Sequence, residues 1–360
     1  MDTRGRFDMW GRKGAALLLA GFAALIIWGL IVGTAYSPDD RISDPVKVNA
    51  SLYNDVAHRM SDGQNYYRAI DESQAAHDYP TRPFLTVREP TLAYIIKFVG
   101  GMDNATKLFF GLGGVAFVFL LVGLERVSPS RLAWWAGTIL SVIAVGPFMT
   151  RTSATFHEFW AGFLIVISLM LHAAGKWRSS FAVAMLAVFI RELALPLLAV
   201  MALFELLAGR RRRALLWLGG IVAFVILLAV HATIVDHTIA PTAEASPGWL
   251  KFGGWAFFVD SVRYSTSLVV LPAWVGAVVA PAALLGWLSR TGDLAGRVTV
   301  LLAGYALSFS VVGRPENYYW GLLFVALLIP GIALAPSALM SLARCVVRPE
   351  KAPVSEPFDE

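Results

Sequence analysis

The side chains best placed to do chemistry are ionisable groups set in or beside apolar runs. Arg191-Glu192 interrupts an apolar stretch from 181 to 208, with Pro196 just beyond it. A charge at bilayer depth is costly unless it is paired or faces a wet cavity. The pair therefore has two readings. It is an ion pair that lets a short hairpin turn below the surface, or its planar guanidinium holds an anionic group, phosphate above all, through two parallel hydrogen bonds. Arg314, in Gly313-Arg314-Pro315-Glu316-Asn317-Tyr318-Tyr319-Trp320, has the same two readings, and the aromatic residues after it suit either sugar stacking or the membrane interface. His157 and Glu158, His231, Asp236 and His237, and Asp260 and Arg263 fall at corresponding ends of expected helices. With Asp62, Arg82, Arg88 and Glu89 of a long connecting segment they would line an outward-facing polar cavity. The chain has no Gly-rich phosphate loop, no His-x-x-x-His pair and no Gly-x-Ser-x-Gly turn. Its single cysteine, Cys345, excludes an intrachain disulfide and a Cys-based metal cluster.

The elements that must position these groups are membrane helices. The chain of 360 residues is 57% hydrophobic and only 15% charged, where soluble domains carry about 25% charged residues. Its mean hydropathy is +0.63. A net charge of +5 is spread over short clusters between apolar runs, so it marks topology and not a nucleic-acid surface. Apolar runs fall at about 15–34, 105–123, 132–149, 158–174, 181–208, 214–231, 267–287, 298–312 and 319–337. If 181–208 is a hairpin of two short helices, every strongly basic connection lies on one side: the N-terminus, Arg126 with Arg131, Lys176 with Arg178, Arg210 to Arg213, Arg290 with Arg297, and Arg344 with Arg348 and Lys351. That is what the positive-inside rule asks. The expectation is an all-α polytopic membrane protein of about ten transmembrane helices with both termini cytoplasmic. One transmembrane domain, 1–337, includes periplasmic loops 37–104 and 232–266, and a cytoplasmic tail follows at 338–360.

The first outer loop predicts a helix within 62–78, opened by Asp62 as its N-cap, and a short interfacial helix over 91–99. The second holds Trp249, Phe252, Trp255, Phe257 and Phe258, a density that fits interfacial anchoring or a lipid-binding lip. Glu205 lies close to Arg210 to Arg213 and is expected to reach towards them.

Ser61-Asp62-Gly63-Gln64-Asn65-Tyr66-Tyr67, followed by Tyr79-Pro80-Thr81-Arg82-Pro83-Phe84-Leu85-Thr86-Val87-Arg88-Glu89-Pro90, resembles the first outer loop of the GT-C fold integral-membrane glycosyltransferases. In motif the likeness covers about residues 60–92; in topology it extends over most of the chain. It implies a compact bacterial inner-membrane enzyme with its active site at the periplasmic face. Such an enzyme moves a sugar from a polyprenyl-phosphate donor to a glycan or glycolipid acceptor, with inversion. The resemblance implies Asp62 as the general base, with Asp39 and Asp40 as an alternative acidic motif directly after the first helix. It implies Arg191, Arg314 and Arg88 for the donor phosphate, and Tyr66, Tyr67, His157, Glu158 and Glu192 around the sugar and acceptor. No cofactor is required, since arginine can balance a lipid monophosphate, although the acidic residues suffice for a divalent cation. Membrane lipids are the remaining expected partners, and nucleic acid is not one. A polytopic transporter or lipid flippase is the alternative, and a non-catalytic envelope-assembly subunit a third reading.

Overall fold

A computed structural model describes residues 5–32, 45–240, 243–248 and 250–347. Asp39 and Asp40, the alternative acidic motif, lie outside the described residues, as does Trp249. Helix α1 (Arg12–Val32) is followed by three helices of the first loop: α2 (Pro45–Ser61), α3 (Tyr66–Ala76) and α4 (Thr91–Phe98). Next come α5 (Met102–Val127), α6 (Arg131–Val145), α7 (His157–Ala173), α8 (Trp177–Ile190), α9 (Leu195–Leu207) and α10 (Arg211–Thr238). The chain closes with α11 (Gly254–Tyr264), α12 (Ala273–Leu288), α13 (Asp293–Val311), α14 (Val325–Leu328) and α15 (Gly331–Val347). Among the described residues there is no strand, only two isolated bridges.

Among the described residues, five helices are long and apolar enough to cross a membrane: α1, α5, α6 with its 3-10 extension to Phe148, α10 and α13. Helices α7, α8, α12 and α15 are apolar but shorter. The outer faces of the bundle bear large exposed side chains such as Leu17, Leu132, Val222, Leu307 and Leu207. Water would penalise such a surface, whereas lipid accepts it, because every helix satisfies its own backbone. The protein is a helical membrane protein.

The 181–208 run is a hairpin. Helices α8 and α9, of 14 and 13 residues, are about 20 Å long each, short of the roughly 30 Å hydrocarbon core. The break falls at Arg191, which turns to an extended conformation (φ −150°, ψ 113°), and a 3-10 turn over Glu192–Ala194 leads into α9. Both outer ends of the hairpin return to one level, for Arg213 lies 5.1 Å over the Trp177 ring. The basic connections do gather there. Arg6 N–H donates to Ser289 O, Arg290 Nε donates to Val127 O, and Arg126 donates to Ala173 O. Ser341 donates to Asp8, and Cys345 to Phe7 O.

Three expectations are corrected. The 319–337 run is not one helix. A 3-10 helix over Pro315–Leu323 and the single turn α14 carry the chain through the core, and α15 starts only at Gly331. Such backbone is tolerated where protein covers it, and residues 319–330 are all buried. Gly162 of α7 makes room for it: a Cβ there would stand 2.3 Å from Leu322 O. Of the described aromatic residues of the second loop, most do not face an interface. Trp255, Phe257 and Phe258 of α11 are buried, and Phe258 stacks on Phe324 at 5.3 Å, leaving Phe252 exposed. Finally, Asp62 caps no helix. Helix α2 runs on to Ser61, Gly63 reverses the chain at φ 97°, and Asn65 caps α3 by accepting from Arg68 N–H at 3.0 Å.

Candidate active site

The first-loop helices cover the turn of the hairpin. Val56 and Met60 of α2 and Tyr66, Ala69 and Ile70 of α3 pack with Val87, and with Val235 and Ile239 at the end of α10. Arg59 of α2 pairs with Glu72 of α3, clamping the two together. Tyr66 donates to Arg88 O at 2.6 Å, fixing the backbone of the Arg88-Glu89-Pro90 segment from below. His231 of α10 fixes it from the side. Its Nε2 must donate to Val87 O (3.0 Å), so Nδ1 accepts from the Tyr67 hydroxyl at 3.1 Å.

The loop thereby delivers Arg88 to the hairpin, where it lies 3.9 Å from Glu192. Arg191, 1% exposed, donates from Nε to Glu158 at 2.7 Å and from Nη1 to Glu192. Its guanidinium carbon also sits 5.9 Å from the Trp320 ring centre. Glu158 and His157 open α7 and are both buried. The ring of His157 packs 4.8 Å from Tyr53 of α2. Thus Arg88, His157, Glu158, Arg191 and Glu192, drawn from three distant parts of the sequence, form one cluster, buried at His157, Glu158 and Arg191 and partly exposed at Arg88 and Glu192, with Tyr66 and Tyr67 holding its lid.

Two arginines face two carboxylates here, and Glu89 adds a third carboxyl group beside them. Burial first, then the neighbouring Glu192 carboxylate, pushes the Glu89 carboxyl well above the usual carboxylate range. With Glu89 protonated the cluster is neutral, which is how a low-dielectric site avoids a net charge. Glu89 Oε2 has no hydrogen-bond partner among the described residues. A proton-binding oxygen therefore sits next to two cations, the arrangement of an acid or base beside an anion site.

The remaining expected residues lie elsewhere. Asp62 is exposed on the α2–α3 turn and shares no hydrogen bond or ion pair with the cluster. Arg314 pairs with Glu316 at 2.8 Å and donates to Pro247 O and Ser246 Oγ, so it ties the second loop to the start of the 3-10 segment. Sequence reasoning misses Tyr53 and the role of Glu89. One signal is present for Glu89: the dipeptide Arg-Glu occurs at 88–89 as at 191–192, and the fold brings the two copies together. Among the described residues no three His, Cys, Asp or Glu side chains gather as a cation site.

Free space within the cluster is small. A cavity lined by Tyr53, Arg88, His157, Glu158 and Tyr319 holds about 10 Å³, and a second, under Tyr53 and Tyr66, about the same. That is room for one water each. No family model matches the chain, and neither a curated protein nor a solved structure resembles it.

Proposed function

We propose that the chain is a polyprenyl-phosphate-dependent glycosyltransferase of the bacterial inner membrane, with ten passes, both termini cytoplasmic and its site at the periplasmic face. The hairpin supplies two of these passes although its arms are short, because its turn is met within the membrane thickness by the first-loop cover, which continues the crossing. One observation carries the reading: the fully buried Arg191 and the partly exposed Arg88 meet at a helix break beneath a helical outer loop, with the buried Glu89 close to both. Donor phosphate takes the place now held by Glu192 and Glu158 around the arginines, which stabilise the charge growing on the leaving phosphate. An acceptor hydroxyl attacks the anomeric carbon and its proton passes to a carboxylate. A new glycosidic C–O bond forms as the bond to the polyprenyl phosphate breaks. Glu89 serves as the base from its deprotonated form, to which its raised proton affinity then draws the acceptor proton; Asp62 is the rival that the sequence resemblance offers. Substrate entry requires the α2–α4 cover to move, since the cluster has space only for water.

The experiment is transfer of radiolabelled sugar from polyprenyl-phosphate donors to envelope acceptors by wild type, Glu89→Gln and Asp62→Asn. Loss in Glu89→Gln with donor binding retained supports the assignment. Loss in Asp62→Asn alone returns the base to Asp62, and donor binding without transfer by wild type favours a transporter. One observation supports that second reading: the apolar chain is broken twice, at Arg191 and again over 313–330, and broken helices line the binding sites of many transporters.

A further inference from the structure

At the opposite end of the same helices lies a larger and more open space. From His157 to His172 helix α7 advances about 22 Å, and beyond it four chain segments converge on a cavity of about 500 Å³. Arg126, His172, Trp177, Arg210, Arg213 and Asp293 line it. Three arginines to one aspartate make the wall cationic. The carboxylates are already balanced: Asp293 accepts from Arg297 at 2.8 Å, and the fully buried Glu205 behind the wall accepts from Arg210 at 2.6 Å and Arg297 at 2.9 Å. Arg126 is held by the Ala173 carbonyl and Arg213 by the face of Trp177. Neither is paired with a carboxylate among the described residues, so both retain charge for a ligand.

His172 adds a second requirement. Its Nε2 lies 3.1 Å from Glu205 Oε1, a carboxylate that can only accept, so Nε2 carries the proton. Nδ1 is then a bare acceptor, and it has no partner among the described residues although the side chain is only 6% exposed. A ligand suited to this wall offers negative charge to the guanidinium groups and a hydroxyl to the imidazole.

We propose that this cavity binds a phosphate ester that also carries a hydroxyl, the chemistry of a phosphatidylglycerol headgroup, with Arg126 and Arg213 on the phosphate and His172 accepting from the hydroxyl. Its place among basic helix ends is where headgroups of the bilayer lie. Glycerol phosphate offers the same groups in soluble form, and the test separates the two sources. The proposal stands apart from the sugar-transfer reading, since it uses none of the residues of that site.

Purified full-length protein in dodecyl maltoside is titrated with phosphatidylglycerol, phosphatidylcholine, phosphatidylmethanol and sn-glycerol 3-phosphate, with thermal unfolding as readout. Phosphatidylglycerol is expected to raise the unfolding midpoint saturably and to bind about tenfold or more tighter than phosphatidylcholine. The Arg126→Gln/Arg213→Gln variant is expected to keep its ligand-free midpoint and lose about tenfold or more in affinity, since each lost bond is charge-assisted. Phosphatidylmethanol, which has the charge without the hydroxyl, binds more weakly if His172 takes part; equal binding overturns that contact. Saturable binding of glycerol phosphate in competition assigns a soluble ligand, and its absence a lipid. Equal affinity for phosphatidylglycerol and phosphatidylcholine, or an unchanged affinity in the double variant, overturns the proposal. Should the variant not fold, wild type alone decides: phosphatidylglycerol binding must weaken with rising salt, and salt-independent binding overturns the site.

Discussion

Replacing Arg191 separates a structural ion pair from a phosphate site. Arg191 Nε lies 2.7 Å from Glu158 Oε1, with side chains 1% and 3% exposed. At an effective dielectric constant of about 20, unit charges at that separation attract by about 6 kcal/mol. Desolvation of both ions opposes most of this gain, yet removing one partner of a buried pair costs about 3–5 kcal/mol, because the other is stranded. Arg191→Met strands Glu158 in this way, and we expect a loss of about 3–5 kcal/mol by that argument, read from equilibrium unfolding in mixed micelles. Adding Glu158→Gln removes the stranded charge and is expected to restore about half of the loss or more. Activity should not follow stability: neither the single nor the double variant transfers sugar, because the leaving phosphate has lost a cation. A double variant as active as wild type would falsify the phosphate role and leave a structural pair. A cost below about 1 kcal/mol for Arg191→Met, the range of exposed pairs, would refute the buried geometry itself.

Further outcomes can be measured separately. Because the Glu89 proton affinity is raised in the folded protein, its contribution to stability is full below the ordinary carboxylate pKa and is lost as pH rises through the raised value. Unfolding measured across pH should show that loss, and Glu89→Gln should remove it. As a base, the same group should give the transfer rate an acid limb well above the ordinary carboxylate range, and a profile without that limb would rule Glu89 out as the base. Gly162→Ala places a Cβ 2.3 Å from Leu322 O, a backbone atom with no freedom to swing aside; a stability loss of about 1–3 kcal/mol is expected, and a neutral result would show that the 3-10 segment is not seated on α7. Glu205→Gln leaves Arg297, itself 1% exposed, facing a neutral amide where it had a carboxylate. The expected cost is about 3 kcal/mol, checked by thermal unfolding. Donor binding should raise amide exchange in α2 and α3, since the cover must lift to admit a sugar; unchanged protection there would rule out that route.

Much of this arrangement is legible in the amino-acid sequence. Hydropathy locates the long helices, and the hairpin at 181–208 follows from charge bias alone: only a return to the same side keeps Arg210 to Arg213 with the other basic connections. Glu205 reaching Arg210 follows from their spacing across the α9 end. What hydropathy does not report is whether an apolar backbone is helical. Residues 319–330 are apolar enough to cross, but Gly313, Pro315 and Gly321 weaken a regular helix, and the core supplies the cover that a broken backbone needs. Composition is equally blind to depth at α11. Trp and Phe at high density serve an interface or a core equally well, and contact with Phe324 and Phe309 decides for the core.

The site is illegible for a different reason, which is that its members meet only through the first loop. Helix α2 escapes a hydropathy reading because its average is near neutral, although Leu52, Val56 and Met60 recur every fourth residue along one buried face. Without α2 there is nothing to hold α3 against the end of α10, and without that contact Tyr66 and His231 have no means of fixing the backbone on either side of Arg88. Arg88 then has no reason to stand beside Glu192, more than a hundred residues away. The resemblance in the loop points to Asp62, the residue that opens the motif, whereas the fold turns that end outward and the Arg88-Glu89 end inward. A motif of this kind therefore acts as a lever: its buried end carries charge to the hairpin, and its exposed end marks only where the chain turns. Shortening the loop between Tyr79 and Pro83 should therefore abolish transfer even with Asp62, Arg88 and Glu89 intact, whereas insertions at Gly63, which touch only the exposed turn, should be tolerated.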